Sequence, residues 1–448
     1  MPAVITDTLR RQIARDFFDQ FQNQTANYYV GIGKSEPWDS NETVPTPVNN
    51  PETIADFRDV VQSIKKVKST SLVVPRNNWS NGNIYSQYDD RSQGYPTQPY
   101  YVKNENNQVY VCLEAGRNRL GVAQPSTVEP TGSNNDSFRT TDGYVWKFLY
   151  TISAAKQEQF QSSNFIPVQK QASTDSNSTG IELKQKEVQD SAISGQILSV
   201  IITDAGTGFT SVPTISFTGN GTKAKAIADI DSATGTLSRI RMQDSGQFIT
   251  HGSGYSTAQV AITGGGGAGA SARAVLSFND SGVGSDARVD LKSASVMFHT
   301  MLEGTDSGFL LNQDFRQVAL IKDPLDFNGS KITTNTASTL KFMRLSSTVQ
   351  AFTKDKIIEG QTTLAQAYID DIDSDKIYYH QTDTTGFTAF QDGEIIEETN
   401  GPGQGIIDSA LINPPVDTST GDILYIDNRA PVSRTTTQAE DIKIILQF

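Results

Sequence analysis

The chain has 448 residues, one cysteine (Cys112) and a formal charge of −13, from 37 basic and 50 acidic side chains. Such acidity disfavours direct contact with nucleic-acid phosphate or an anionic membrane, because lysine and arginine dominate those contacts. A lone cysteine excludes an intrachain disulfide and a thiolate metal cluster, and the length implies two or three domains rather than one small core.

The 35 glycines, with many Ser, Thr and Asn, point to a β-rich, turn-rich protein. The opening MPAVITDTLRRQ lacks an apolar signal core, and no apolar run reaches the roughly eighteen residues of a membrane span. The expectation is synthesis in a cytoplasm, with no secretion and no membrane contact.

Helical signal is confined mainly to the first seventy or so residues. Leu9, Ile13, Phe17 and Phe21 recur every four positions after Thr6-Asp7, which can cap a first turn. A second helix opens at Asn50-Pro51, a cap followed by proline at the first helical position. Its apolar face is read as Ile54, Phe57, Val61 and Ile64. Both stripes are expected to pack on a core. Between the helices, Tyr28 to Ile32 reads as a strand, followed by a loop carrying Glu36, Pro37 and Trp38.

Leu72 to Val74 form the next strand, leading to Pro75, Arg76 and Trp79. Arg76 and Trp79 could form a cation–π anchor, but a loop pinned by Trp79 against the core is preferred. VYVCLEAG alternates as a strand with Cys112 as a small buried hydrophobe. No histidine lies near it in sequence to activate the thiol. Asp142-Gly143 is a tight-turn pair before a strand containing Val145, Phe148 and Tyr150. The polar stretch QKQASTDSNSTG, from Gln169, reads as a linker or exposed loop.

Residues 197–274 contain an internal repeat. Gly206-Thr-Gly208-Phe209 aligns with Gly252-Ser-Gly254-Tyr255, and Phe217-Thr-Gly219 with Ile262-Thr-Gly264. One copy cannot bury a face alone, so the pair is expected to form one small β module with its ends together. The glycine run from Gly264 to Gly269 lacks the Gly-Lys-Ser/Thr ending of a phosphate loop and no helical pattern follows it. Tight turns are the cheaper explanation.

SASVMFHTMLEG reads as a strand, and FRQVALIKDPL, with Phe315 and Arg316, as another. Residues 330–420 then form a second inserted β module. Strands are expected at Lys341 to Leu345, Ala365 to Ile369, Lys376 to Tyr379 and Gly405 to Ile407. Asp371, Asp373 and Asp375 alternate like the start of a calcium loop, but Lys376 replaces the required glycine and Thr382 the closing glutamate. A solvated hairpin turn is expected instead. His251, His299 and His380 show no ligand spacing, and Glu394, Glu397 and Glu398 read as a charged strand face. No catalytic, cofactor or metal constellation is legible, although paired carboxylates for sugar hydrolysis are a matter of spatial separation.

The chain closes on two strand-like runs: Ile423 to Ile426, and the alternating Ile442, Ile444, Leu446 and Phe448. Asn428-Arg429-Ala430-Pro431 between them is read as a turn, and the apolar final strand as buried in a sheet.

Five strings, in order, resemble one family: GKSEPW; VVPRNNW with VYVCL; DGYVWKFL; FRQVALIKDPL; and the C-terminal stretch GDILYIDNRAPV to IKIILQF. The chain resembles the baseplate wedge subunit called gene product eight of T-even-type contractile-tailed phages. The resemblance covers roughly residues 1–190, 290–328 and 421–448. It implies a mainly β fold, a layered β-sandwich core with a few edge helices. Two modules depart from the family pattern. The expected organisation is core 1–194, glycine-rich module 195–278, core 279–329, second module 330–420 and closing strands 421–448.

The resemblance further implies a structural, non-enzymatic role in the virion tail baseplate, with a homodimer and other wedge subunits as partners and no cofactor. The motif positions it singles out are Glu36, Pro37, Trp38, Pro75, Arg76, Trp79, Asp142, Gly143, Trp146, Phe315, Arg316, Asn428, Arg429 and Pro431. The alternative is a tail-associated protein that binds or cleaves glycan through its inserted modules.

Overall fold

The computed structural model describes residues 4–39, 41–172, 179–246 and 248–448. Strands dominate and helices are few, which is the mainly β character that the glycine- and Thr-rich composition implies. The chain forms two compact units. One comprises Met1–Phe17, Ser71–Met297 and Leu446–Phe448; the other comprises Phe18–Thr70 and Phe298–Ile445. Each contains one of the two inserted modules.

The first unit is organised on a four-stranded sheet ordered Tyr101–Lys103, Gln108–Glu114, Val145–Thr151, Phe138–Arg139. Trp146 sits opposite Cys112 on one side and Phe138 on the other. Its ring stacks on Tyr144 at a centroid distance of 5.6 Å and meets Tyr85 edge-on. Large rings on adjacent strands bury area that few smaller side chains could match. Cys112 is fully buried among them, and burial pushes its thiol well above the ordinary range. Leu72 to Pro75 pair with the strand Phe165–Val168. Of the polar stretch read as a linker, residues 173–178 lie outside the described residues. Thr179 beyond them caps helix Gly180–Asp190 in a reciprocal capping box with Glu182.

The glycine-rich repeat forms its own six-stranded sheet, with the equivalent strands Thr214–Gly219 and Ala258–Thr263 paired at its centre. The two copies interlock. Thr207 of the first bridges Ala268 of the second, and Ser253 of the second bridges Thr222 of the first. Phe209 lies over Gly267 and Tyr255 over Gly221, where an added Cβ would fall 2.4 and 2.3 Å from the respective rings. The glycine–aromatic spacing is thus a reciprocal packing code. Each glycine is the floor on which the other copy's ring lies, and the run from Gly264 to Gly269 is the turn that presents one floor. Ser194 Oγ donates to the Asp280 carbonyl at 2.5 Å, so the module's ends meet.

In the second unit a five-stranded sheet runs in the order Thr336–Ser338, Val61–Lys66, Tyr28–Gly33, Asp314–Lys322, Asp422–Ser433. Helix α2 (Pro51–Val60), which follows helix α1 (Asp7–Gln22) in the chain, is capped by Asn50, whose side chain accepts from Thr53 N at 2.9 Å. The helix ends sooner than its apolar stripe implies. Val61 turns extended and starts the next strand, so Val61 and Ile64 are strand residues. The physical reason is the ladder to Tyr28–Gly33, which supplies backbone partners that a continued helix would forgo.

The supposed turn at Asn428 to Pro431 is likewise corrected: it lies inside the continuous strand Asp422–Ser433. Gln317 pairs with Asn428 and Phe315 with Val432, so Arg429, Ala430 and Pro431 bulge opposite Arg316. Proline cannot donate to a ladder and is accommodated at such a bulge. Of the final run, Ile444 is buried; the strand Ala439–Gln447 stops one residue before Phe448, which stacks on Phe17 at 5.3 Å.

The second module is a closed six-stranded barrel over residues 341–412. Thr336–Ser338 instead joins the sheet beside Val61–Lys66, which moves the module's start beyond residue 330. Met343, Ile358, Ala365, Ala367, Ile369, Ile377, Ile396 and Ile407 fill the barrel, the alanines letting it close tightly. The aspartates of the calcium-like string are spent on neighbours: Asp371 pairs with Lys354, Asp373 with Lys376 and Asp375 with Arg344. Glu394 and Glu398 are not a solvated face. Both are buried; Glu394 accepts from Thr362 N, Thr363 N and Gln391 N, and Glu398 from Thr353 N.

The interlocked glycine floors generate a prediction. G267A and G221A should each lower the denaturant stability of the chain by roughly 1–3 kcal/mol, the usual cost of overpacking. Unchanged unfolding midpoints for both variants would contradict the reciprocal packing.

Candidate functional site

A buried titratable cluster in the second unit is assembled from three separate stretches. His380, at the end of the barrel strand Lys376–His380, is 2% exposed. Its Nδ1 lies 2.6 Å from Asp370 Oδ2 and its Nε2 lies 2.7 Å from Glu36 Oε1. Carboxylates only accept, so both ring nitrogens must donate, which requires the imidazolium form. Burial works against that charge, but Asp370 and then Glu36 outweigh it and push the His380 pKa up to about 10. For Glu36 burial also opposes the charge, and the bond and charge of His380, with Lys34 behind, lower its pKa to about 2. Asp370 is held in turn by Ser35 Oγ at 2.8 Å.

Around this clamp three of the five sequence strings meet. Arg316 grips Glu42 with two bonds, Nη2 to Oε1 at 2.7 Å and Nε to Oε2 at 3.1 Å, and also donates to the Ser35 carbonyl. Trp38 Nε1 donates to the Arg429 carbonyl at 2.8 Å, and Asn428 Nδ2 to the Pro45 carbonyl at 2.9 Å. Gln317 Nε2 reaches Asn428 Oδ1 at 2.9 Å. Phe315 is buried next to Arg316, and Pro431 occupies the bulge facing it. Glu36, Pro37, Trp38, Arg316, Asn428 and Arg429 are therefore one neighbourhood. A cavity of about 690 Å³ opens beside it, walled by Pro37, Trp38 and Tyr368.

The remaining motif residues gather in the first unit. Trp79 Nε1 donates to Ser126 Oγ at 3.0 Å, and Ser126 donates on to Asp142 at 3.1 Å. Asp142 also accepts from Thr127 N and Val128 N at 2.8 and 2.9 Å. Burial disfavours its charge, but the bonds from Thr140, Val128, Thr127 and Ser126 together hold its pKa below the ordinary value. Gly143 makes the turn at φ +91° that carries the chain into Trp146. Pro75 closes its strand opposite Phe165, its carbonyl accepting from Tyr101 Oη at 2.6 Å. Arg76 donates to the Ser162 carbonyl at 3.0 Å. Trp79 thus pins a loop by packing and one hydrogen bond, as preferred over a cation–π anchor.

The clamp and the Arg316 fork are built from bonds between these groups. The imidazolium has no lone pair to act as a base, and Arg316 spends its donors inside the fold. His251 accepts from Ser137 Oγ at 2.9 Å while its Nδ1 faces the Ile197 carbonyl at 2.8 Å. Both residues are buried and border a recess of only about 40 Å³, room for little more than a water. Among the described residues no group of three or more His, Cys, Asp or Glu is placed to hold a metal ion. Sequence reading missed His380, Asp370 and Ser35 as partners of Glu36, because His380 and Glu36 are 344 positions apart.

The clamp predicts both a mutational cost and a pH window. H380F should destabilise the chain by about 3–5 kcal/mol, because it strands Asp370 as a buried charge. The raised His380 pKa gives stability that is full below its ordinary 6.5 and lost as pH rises through about 10. The lowered Glu36 pKa gives stability that is full above its ordinary 4.5 and lost as pH falls through about 2. The stability difference between wild type and H380F should therefore be largest between pH 4.5 and 6.5 and shrink toward pH 10. A difference independent of pH across that range would contradict the imidazolium assignment.

Comparison with protein-family models and with curated protein sequences finds no match for the chain.

Proposed function

We propose that the chain is a structural subunit of a phage tail baseplate wedge and acts by protein–protein assembly. The observation that carries this reading is the fate of the five family-like strings. Their charged and aromatic residues are spent on one another: Trp79 with Asp142, and Glu36, Trp38, Arg316, Asn428 and Arg429 around the His380 clamp. Residues placed in a string for chemistry would leave a base, nucleophile or ligand unspent; these build a frame. A frame subunit works through broad surfaces, and permanent assembly interfaces bury on the order of 2,000–5,000 Å².

The first partner in this reading is a second copy, since two-fold dimers are the commonest closed homo-oligomer. The charge of −13 makes dimers repel one another, so growth requires a different, complementary wedge protein. Light scattering on the purified chain should give a dimer that does not polymerise; a monomer at tens of micromolar, or open-ended aggregates, would count against it. Tails assembled without the subunit should lack complete baseplates, and contractile baseplates formed in its absence would overturn the proposal.

A further inference from the structure

The lining of the cavity beside Trp38 carries an excess of acidic side chains. Its lining holds five carboxylates (Glu36, Glu52, Asp56, Asp59 and Asp383) against one ammonium, Lys34. Lys34 is already committed, 3.8 Å from Glu36 and 5.0 Å from the centre of the Trp38 ring. Among the described residues the other four carboxylates have no ion-pair partner. Glu52, Asp56 and Asp59 follow one face of α2 at spacings of four and three, where like charges destabilise a helix. Asp59 is held above the ordinary carboxylate range, by burial first and also by Asp383 and Asp56, against the pull of Lys341 and His380.

A second observation is independent of these acids. Gln317 lines the same cavity and is 5% exposed, and its Oε1 is buried without a hydrogen-bond partner. Its orientation is fixed by its neighbours. Asn428 Nδ2 is spent on the Pro45 carbonyl, which leaves Asn428 Oδ1 to accept from Gln317 Nε2. The free end of Gln317 is therefore an acceptor, and a buried acceptor left unmade costs about 1–3 kcal/mol. Unpaired carboxylates and an unmet acceptor together call for a cation that carries N–H donors. A neutral sugar supplies no charge; a metal ion takes amide and carboxylate oxygens as ligands, but among the described residues no three of these acids are placed to hold one.

We infer that this cavity receives an arginine- or lysine-bearing segment of a partner protein, with the basic side chain lying between the Trp38 and Tyr368 walls and the acidic face of α2. A volume of about 690 Å³ exceeds one side chain and fits a short stretch of chain. The inference deepens the assembly reading, on which it rests for the source of the segment.

Calorimetric titration of the full chain at about 0.15 M salt, where loose surface attraction is screened, tests it with the capped peptide acetyl-Arg-Gly-Arg-amide. Wild type should bind the peptide. The variant E52Q/D56N/D383N should bind about tenfold more weakly or worse, while E187Q, an exposed carboxylate elsewhere, should bind as wild type. The triple variant removes like-charge repulsion and so should fold, which its melting curve verifies. No binding to wild type, or equal binding to wild type and triple variant, would overturn the inference. Spermidine binding as tightly as the peptide would overturn the assignment to a protein segment. Loss of peptide binding without loss of the chain from baseplates would fail the cavity alone, whereas absence of the chain from baseplates would fail the assembly reading.

Discussion

One buried imidazolium governs how the second unit holds together. His380 belongs to the inserted barrel, Glu36 to the loop after the strand Tyr28–Gly33, and Asp370 to the barrel strand beside it. Replacing His380 by a neutral residue leaves the two carboxylates without the cation between them, and that penalty exceeds the net worth of an intact pair. The clamp therefore specifies position more than it adds stability. With Glu36 fixed, Ser35 can reach both Asp370 and Arg316, and Arg316 in turn fixes Glu42 and the loop that carries Trp38. A chain of charge-assisted bonds thus runs from the barrel to the edge strand Asp422–Ser433.

The glycine-rich module solves a similar problem without charge. Each copy of its repeat lacks a partner for its aromatic ring, and each supplies a glycine on which the other's ring lies. Such mutual dependence makes the two copies fold as one body. The module is fastened by ion pairs, Arg273 to Asp89 and Asp90 and Arg139 to Asp244. Both insertions are thereby part of the frame rather than loose appendages.

Much of this was legible in the sequence, for identifiable reasons. Helix starts announce themselves locally, as at Asn50-Pro51, because the cap and the proline act within one turn. The repeat is visible because glycine next to an aromatic ring at a fixed offset is a local cost that only close packing offsets. The helix-to-strand change at Val61 was not legible: Ile54, Phe57, Val61 and Ile64 fit a helical period, and only the ladder to Tyr28–Gly33 decides otherwise. The bulge at Arg429 to Pro431 reads as a turn until its partner strand is known. The clamp left no trace at all, since its members are 10 and 344 positions apart and a lone histidine carries no spacing to read. Glu394 and Glu398 looked solvated for the same reason; their partners are backbone amides, which a sequence does not display.

The central claim is that this frame serves as a building block of a contractile tail's baseplate. A density map of the assembled tail tests it most directly, because the barrel over residues 341–412 and the six-stranded glycine-rich sheet are shapes that can be located without labels. The account predicts paired copies of the chain within the baseplate, in broad contact with other wedge proteins. Finding the chain only at fibre tips, or nowhere in the tail, would contradict it.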